Sequence, residues 1–233
     1  MSKHDLPTSR PGGDAVEAFV REVARTPPPK TEGRGRLIFA MDATASREPT
    51  WDRACQVQGQ MFVETAALGG LDVQLVYYRG FNECRASRWV SDATQLVRLM
   101  TGVMCLAGQT KIRRVLQHAI NETGKKRVAA LIFVGDCFEE DIDAVGQLAG
   151  QLGMLGVRAF VFQEGTNAVA ERAFRQIAKL TGGAHCRFDS SSPAQLRDLL
   201  GAVAAYAAGG RQALVDLSRR SSGEVRALLG QIK

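Results

Sequence analysis

The sequence predicts a doubly wound α/β domain. Its sheet is mostly parallel, about six strands wide, with one antiparallel edge strand and helices on both faces. Three observations predict it. The runs "LIFAM" (37–41), "VAALIFVG" (128–135) and "VRAFVF" (157–162) are continuously apolar and do not alternate. Continuous runs belong to strands buried on both faces, as in a parallel sheet sandwiched between helices. Between the runs lie amphipathic stretches, such as Ile112, Val115, Leu116, Ala119 and Ile120, at the three-and-four spacing of one helical face. Finally, "YYRGFNE" (77–83) joins two strand candidates by a connection too short for a parallel crossover, so that pair must be a hairpin.

The elements follow in order. Residues 1–13, rich in Pro, Gly and polar side chains, read as disordered. Asp14 opens a short helix, with Glu17 close to a capping-box position and an apolar face of Val16, Phe19, Val20 and Val23. Pro27, Pro28 and Pro29 end it as a stiff spacer, which makes 1–33 an N-terminal arm. Strands are expected at 36–41, 71–78, 84–89, 128–135, 157–163 and 185–188, the last the weakest. Leu196, Leu199, Leu200 and Val203 stripe the helix that closes a domain over 34–208. A helical tail over 209–233 carries Val225, Leu228, Leu229 and Ile232 on one face. Such terminal helices need a surface to cover them, on the domain or on a second copy of the chain.

Composition bounds the function. With 45% hydrophobic and 23% charged residues the chain reads as an ordinary globular domain. No apolar run reaches the roughly 20 residues of a membrane span, and "MSKHDLPTSRPGGD" lacks the apolar stretch of a secretory signal. The five cysteines are scattered, odd in number and without a CxxC pair, a reduced and zinc-free pattern. The expected location is therefore cytoplasmic, with no membrane partner. A net charge of +6 raises nucleic acid as a partner. The basic residues nevertheless fall in short clusters, Arg113–Arg114, 125–127 and Arg219–Arg220, with no interleaved aromatics to stack bases. They read as solvated helix ends and turns.

The chemistry concentrates at strand ends. "RLIFAM" runs into Asp42, then Thr44 and Ser46; "VAALIFVG" runs into Asp136; "LAGQTKIRR" places Thr110 at the mouth of a helix. In a doubly wound sheet ligands bind outside the carboxyl ends of the strands, where the winding reverses. Two carboxylates and three hydroxyls form an all-oxygen set, suited to a hard cation, Mg²⁺ first and Mn²⁺ or Ca²⁺ after it. Singly, an Asp ending a strand or a Thr before a helix is an ordinary cap or turn former.

Asp42-x-Thr44-x-Ser46, then Thr110, then Asp136 resemble the metal-ion-dependent adhesion site of von Willebrand factor type A (vWA) domains, whose pattern is D-x-S-x-S, a distant Thr and a distant Asp. Thr44 departs from the usual serine but keeps the hydroxyl. "IAKLTGGAHCRFDSSSPAQLRDLL" (177–200) also resembles the close of such domains, and the resemblance covers about residues 34–208. It implies direct ligation of a cation by Thr44 and Ser46, ligation by Thr110 directly or through water, and water-holding roles for Asp42 and Asp136. A partner protein's Asp or Glu would complete the shell. The function implied is metal-dependent protein binding by an intracellular adaptor or assembly factor, not an enzyme.

A rival reading is a Mg²⁺-dependent phosphatase of the haloacid dehalogenase type, because "LIFVGDCFEEDIDAVGQLAG" resembles that family's last motif. Those enzymes usually need D-x-D at the first strand, one Asp as nucleophile and the other as acid–base, and here the second position is Thr44. The acidic run Glu139, Glu140, Asp141 with Asp143 is expected to form the first turn of its own helix, where negative charge suits the dipole. His118 is expected on an exposed helix face. Gly146, Gly150, Gly153 and Gly156 follow no strand as a phosphate loop would and are expected to allow close helix packing. Cys137, beside Asp136, is a candidate reactive thiol.

Overall fold

The computed structural model describes residues 34–66, 69–188 and 193–220. Six strands form one sheet in the order β3-β2-β1-β4-β5-β6. They are β1 (Gly35–Asp42), β2 (Leu71–Arg79), β3 (Glu83–Val90), β4 (Ala130–Gly135), β5 (Arg158–Glu164) and β6 (Ala184–Phe188). Only β3 is antiparallel, hairpinned to β2 across a bulge between Gln74 and Val76. Each strand lies within two residues of its expected position. The largest shift is at 128–129, where Val128 and Ala129 are buried but precede the ladder of β4.

Seven helices flank the sheet among the described residues: α1 (Glu48–Val57), α2 (Gly59–Thr65), α3 (Ala93–Thr101), α4 (Ile112–Lys125), α5 (Ile142–Met154), α6 (Ala168–Thr181) and α7 (Pro193–Arg220). Successive strand residues point to opposite faces, so β1 sends Leu37, Phe39 and Met41 one way and Ile38 and Ala40 the other. The first set packs with Trp51, Met61, Leu96, Leu199 and Tyr206 of α1, α2, α3 and α7. The second packs with Val115, Val145 and Phe174 of α4, α5 and α6. Helices on both faces thus explain the unbroken apolar runs.

Close approaches set two glycines. A Cβ on Gly35 would lie 2.3 Å from the Ala207 carbonyl oxygen, so α7 can rest directly on β1 only without a side chain there. A Cβ on Gly153 would meet the Leu180 carbonyl at 2.3 Å, which bears out close packing of α5 on α6; Gly150 faces open space and makes no such contact. Helix α7 crosses residue 208, and its backbone breaks at Gly210 (φ 69°, ψ −160°). The expected arm helix at Val16–Val23 and the stripe Val225–Ile232 lie outside the described residues.

His118 is not the exposed residue the helical pattern predicts. It is half-buried, its Nε2 2.8 Å from Gln74 Oε1, and burial lowers its pKa. Gln74 Nε2 donates in turn to the Ser87 carbonyl at 2.8 Å. The bulge in β2 is therefore braced from α4, a contact that helix periodicity alone does not reveal.

Candidate functional site

The winding reverses between β1 and β4, neighbours in the sheet that are far apart in sequence. Met41 of β1 pairs with Val134 of β4, so Asp42 and Asp136 leave the same edge from adjacent strands. Asp42 is buried, with 2% of its surface exposed. Its Oδ1 accepts from the Thr44 amide at 2.8 Å, a local turn that aims the next residues back over the strand. Its Oδ2 accepts from the Tyr78 hydroxyl of β2 at 3.2 Å. Burial pushes the Asp42 carboxyl upward from its ordinary pKa, the Thr44 hydrogen bonds pull it down, and Asp136 adds to the upward push while Arg47 opposes it.

Thr44 precedes a single 3₁₀ turn, Ala45–Arg47, yet its side chain caps no backbone amide of that turn. Its hydroxyl lies 3.4 Å from the Ser46 hydroxyl. Thr44 is buried and Ser46 exposed, so the pair runs from the strand end to the surface. The loop between α3 and α4 crosses this edge, the Leu106 amide donating to the Ala43 carbonyl at 3.0 Å. It delivers Thr110, which is 4% exposed. The Thr110 hydroxyl accepts from the Glu139 amide at 3.2 Å, and its own amide donates to Glu139 Oε2 at 3.1 Å. Thr110 is thereby held against the loop that carries Asp136.

The acidic run divides. Asp141 caps its own helix, accepting from the Ala144 amide at 2.7 Å, and Asp143 lies in that first turn as expected. Glu140 instead caps α4, accepting from the amides of Ile112 and Arg113. Glu139 serves Thr110. The two residues supply acceptors to a neighbouring helix whose own N-cap, Lys111, has none to offer.

Two site residues escape sequence reasoning. Arg47, 2% exposed, turns inward from the 3₁₀ turn. Its Nη1 pairs with Glu164 Oε2, which also accepts from the Thr50 hydroxyl. Its Nε stands 3.9 Å from Asp136 Oδ1, an ion-pair distance and not a hydrogen bond. Nothing in "TASREPT" distinguishes this arginine from a solvated one. Glu164 did carry a signal: "VFQEG" ends β5 in a carboxylate, as Asp42 ends β1 and Asp136 follows β4.

No family model matches the chain, and no curated protein matches it. Solved structures do. The chain is similar to a von Willebrand factor type A structure from Catenulispora acidiphila, at 14% identity and a TM-score of 0.59 over 75% of this chain and 42% of that one. The SpRpn10 VWA domain is similar at 14% identity and a TM-score of 0.55, over 72% of this chain and 94% of that one. The fold is the von Willebrand factor A fold. An aerotolerance-related membrane protein from Bacteroides fragilis shares it, at 17% identity and a TM-score of 0.53 over 70% of this chain and 95% of that one. The chain thus spans less than half of the first of these structures and nearly all of the other two.

On this vWA fold the five residues Asp42, Thr44, Ser46, Thr110 and Asp136 stand on three loops of one edge. Among the described residues no group of three or more His, Cys, Asp or Glu side chains is arranged to hold a metal ion. The set here is of another kind, three hydroxyls and two carboxylates. Neighbouring ligands of an octahedral Mg²⁺ with bonds of about 2.1 Å lie roughly 3 Å apart, and the Thr44 and Ser46 oxygens at 3.4 Å fit that spacing with a small adjustment. Asp42 and Asp136 supply the negative charge. Cys137 does not suit a reactive thiol, because burial pushes its pKa up and Glu139 adds to the push.

Proposed function

We propose that the chain is a Mg²⁺-dependent protein-binding domain, acting as an intracellular adaptor or assembly factor. The observation that carries the reading is the Thr44–Ser46 hydroxyl pair set over a buried carboxylate, Asp42, whose two oxygens are already fixed by Thr44 and Tyr78. Thr44 and Ser46 would hold the cation directly, Thr110 directly or through water, and Asp42 and Asp136 through ordered waters. Mn²⁺ or Ca²⁺ would serve the same ligands. A bound cation would supply an electrophilic position for a carboxylate from a partner protein. Asp42 and Asp136 would orient waters on it, and Tyr78, whose pKa burial raises, stays protonated to donate to Asp42.

A protein partner suits the surroundings. Phe81, on the β2–β3 turn, is 68% exposed, and Met104, on the α3–α4 loop that delivers Thr110, is 71% exposed. The turn bearing Phe81 is hydrogen-bonded to the loop bearing Met104, Gly80 N donating to the Leu106 carbonyl at 3.3 Å. Exposed apolar side chains on the loops that carry a polar site suit a protein-binding surface. No helix among the described residues is long and apolar enough to cross a membrane.

The test is metal-dependent thermal stability. Mg²⁺ or Mn²⁺ at millimolar concentration should raise the melting temperature by mass action. Asp42→Ala and Asp136→Ala should each abolish that rise, whatever they do to the metal-free melting point. A wild-type protein indifferent to both ions, with and without acetate as a stand-in carboxylate, would end the reading.

A further inference from the structure

Arg47 has five N–H donors, is almost wholly buried, and spends one nitrogen on Glu164. Neither Nε nor Nη2 has a hydrogen-bond partner among the described residues. Buried donors left open are rare and ask for a reason. The open nitrogens are the two whose N–H bonds run parallel along one side of a guanidinium, the fork that fits the two oxygens of a carboxylate. The charged group beside that fork is Asp136, with Oδ1 3.9 Å from Nε.

We infer that Arg47 is a built-in competitor of the metal: its open fork and fixed charge draw on the Asp136 carboxylate, weakening the site for a divalent ion until a partner's carboxylate adds negative charge. The inference rests on the metal-site reading proposed above. Asp136 would then answer to two cationic claims, a bound metal and Arg47, whose Nε is 3.9 Å away. Glu164 moderates the contest by holding Nη1 on the far side of the guanidinium and offsetting part of its charge. An incoming carboxylate restores the balance in the metal's favour, so ion and partner bind with positive coupling.

Two neighbouring substitutions should then act in opposite directions. Arg47→Met removes the competing charge and should tighten Mn²⁺ binding by about ten-fold, the scale of one nearby charge under water-like screening. Glu164→Gln leaves Arg47 free to claim Asp136 and should weaken Mn²⁺ binding. A pair that only held the fold together would move both variants the same way, toward weaker binding.

The experiment is a Mn²⁺ titration of the full chain, with the free ion read by electron paramagnetic resonance and folding checked by circular dichroism. Tighter binding by Arg47→Met with weaker binding by Glu164→Gln supports the inference. If Arg47→Met does not fold, the double variant Arg47→Met/Glu164→Gln, which leaves neither member of that ion pair as a lone charge, is compared with Glu164→Gln alone. It should bind more tightly, and equal binding overturns the inference. Mn²⁺ bound equally by wild type and Arg47→Met but lost in Asp42→Ala removes the role of Arg47 and leaves the metal site standing. Binding by no variant removes both.

Discussion

Glu122 lies on the core side of α4, 7% exposed, where a carboxylate must be paired. Its Oε2 accepts from Arg36 Nη2 of β1 at 3.3 Å and from Trp89 Nε1 of β3 at 2.9 Å. Its Oε1 accepts from Lys125 at 2.7 Å. The Arg36 guanidinium lies over the Trp89 ring, 3.8 Å from its centre. One side chain thus ties an interior strand, an edge strand and a helix. Glu122→Ala should leave the buried Arg36 charge without its carboxylate, with only the Nη1 bond to the Lys126 carbonyl remaining, and the indole N–H open, a loss of about 3–5 kcal/mol for a broken buried pair. The Lys125 contact adds little, since that lysine is 72% exposed. Glu122→Gln keeps one acceptor and should cost about half as much. Urea unfolding of the two variants reads these losses, and Arg36→Met completes a double-mutant cycle with a coupling of at least about 2 kcal/mol. A Glu122→Ala cost below about 1 kcal/mol would show that water or another group satisfies Arg36, and the account of this knot would be wrong.

Three other perturbations have definite outcomes. Thr44→Ser should preserve the Mg²⁺-induced rise in melting temperature and Thr44→Val should abolish it, because only the first keeps the oxygen; an equal rise in both would show that this hydroxyl is not a ligand. His185 of β6, hydrogen-bonded to the buried Gln163 at 3.0 Å, has its pKa lowered to about 4, chiefly by burial and then by Arg175. Below about pH 6.5 the unfolded chain takes up a proton that the folded one refuses until about pH 4, so stability falls as the pH drops across that window; for a half-buried ring the loss is on the order of 1–2 kcal/mol. Denaturation of His185→Gln beside wild type at several pH values between 7.5 and 4 should show the gap, and parallel curves would refute it. Gly35→Ala drives a methyl into the Ala207 carbonyl and should destabilise by about 1–3 kcal/mol, read by the same unfolding assay, with a neutral result showing that α7 shifts freely.

Most of the fold was legible because its cause is local. A strand covered on both faces must be apolar at every position, so "LIFAM" and "VAALIFVG" declare their place without reference to neighbours. The stretch 77–83, of which only residues 80–82 lie between β2 and β3, likewise excludes a crossover by length alone. His118 and Gln74 show where that legibility stops. Each is an ordinary polar residue on its own element, and their contact exists only because the fold lays α4 across the face of β2 that carries Gln74. Such long-range polar pairings leave no periodicity in the chain.

The site divides along the same line. Asp42, Asp136 and Thr110 were legible because strand ends and helix mouths are places the topology itself brings together. The charge balance among them was not, since it depends on which way Arg47 turns. Pointed at solvent, Arg47 would be one of 30 basic residues and of no consequence. Pointed inward, between Asp136 and Glu164, it places a buried positive charge beside the carboxylates of this edge. Two vWA folds with the same five oxygen-bearing positions can therefore differ in metal affinity through a residue outside the motif. In the proposed metal site Asp42-x-Thr44-x-Ser46 would supply the donors, and the buried Arg47, one residue after the motif, would set how strongly they hold a cation. On that proposal the motif alone would overstate the affinity for a free ion and understate the dependence on a partner's acid, which is what the Arg47→Met titration measures.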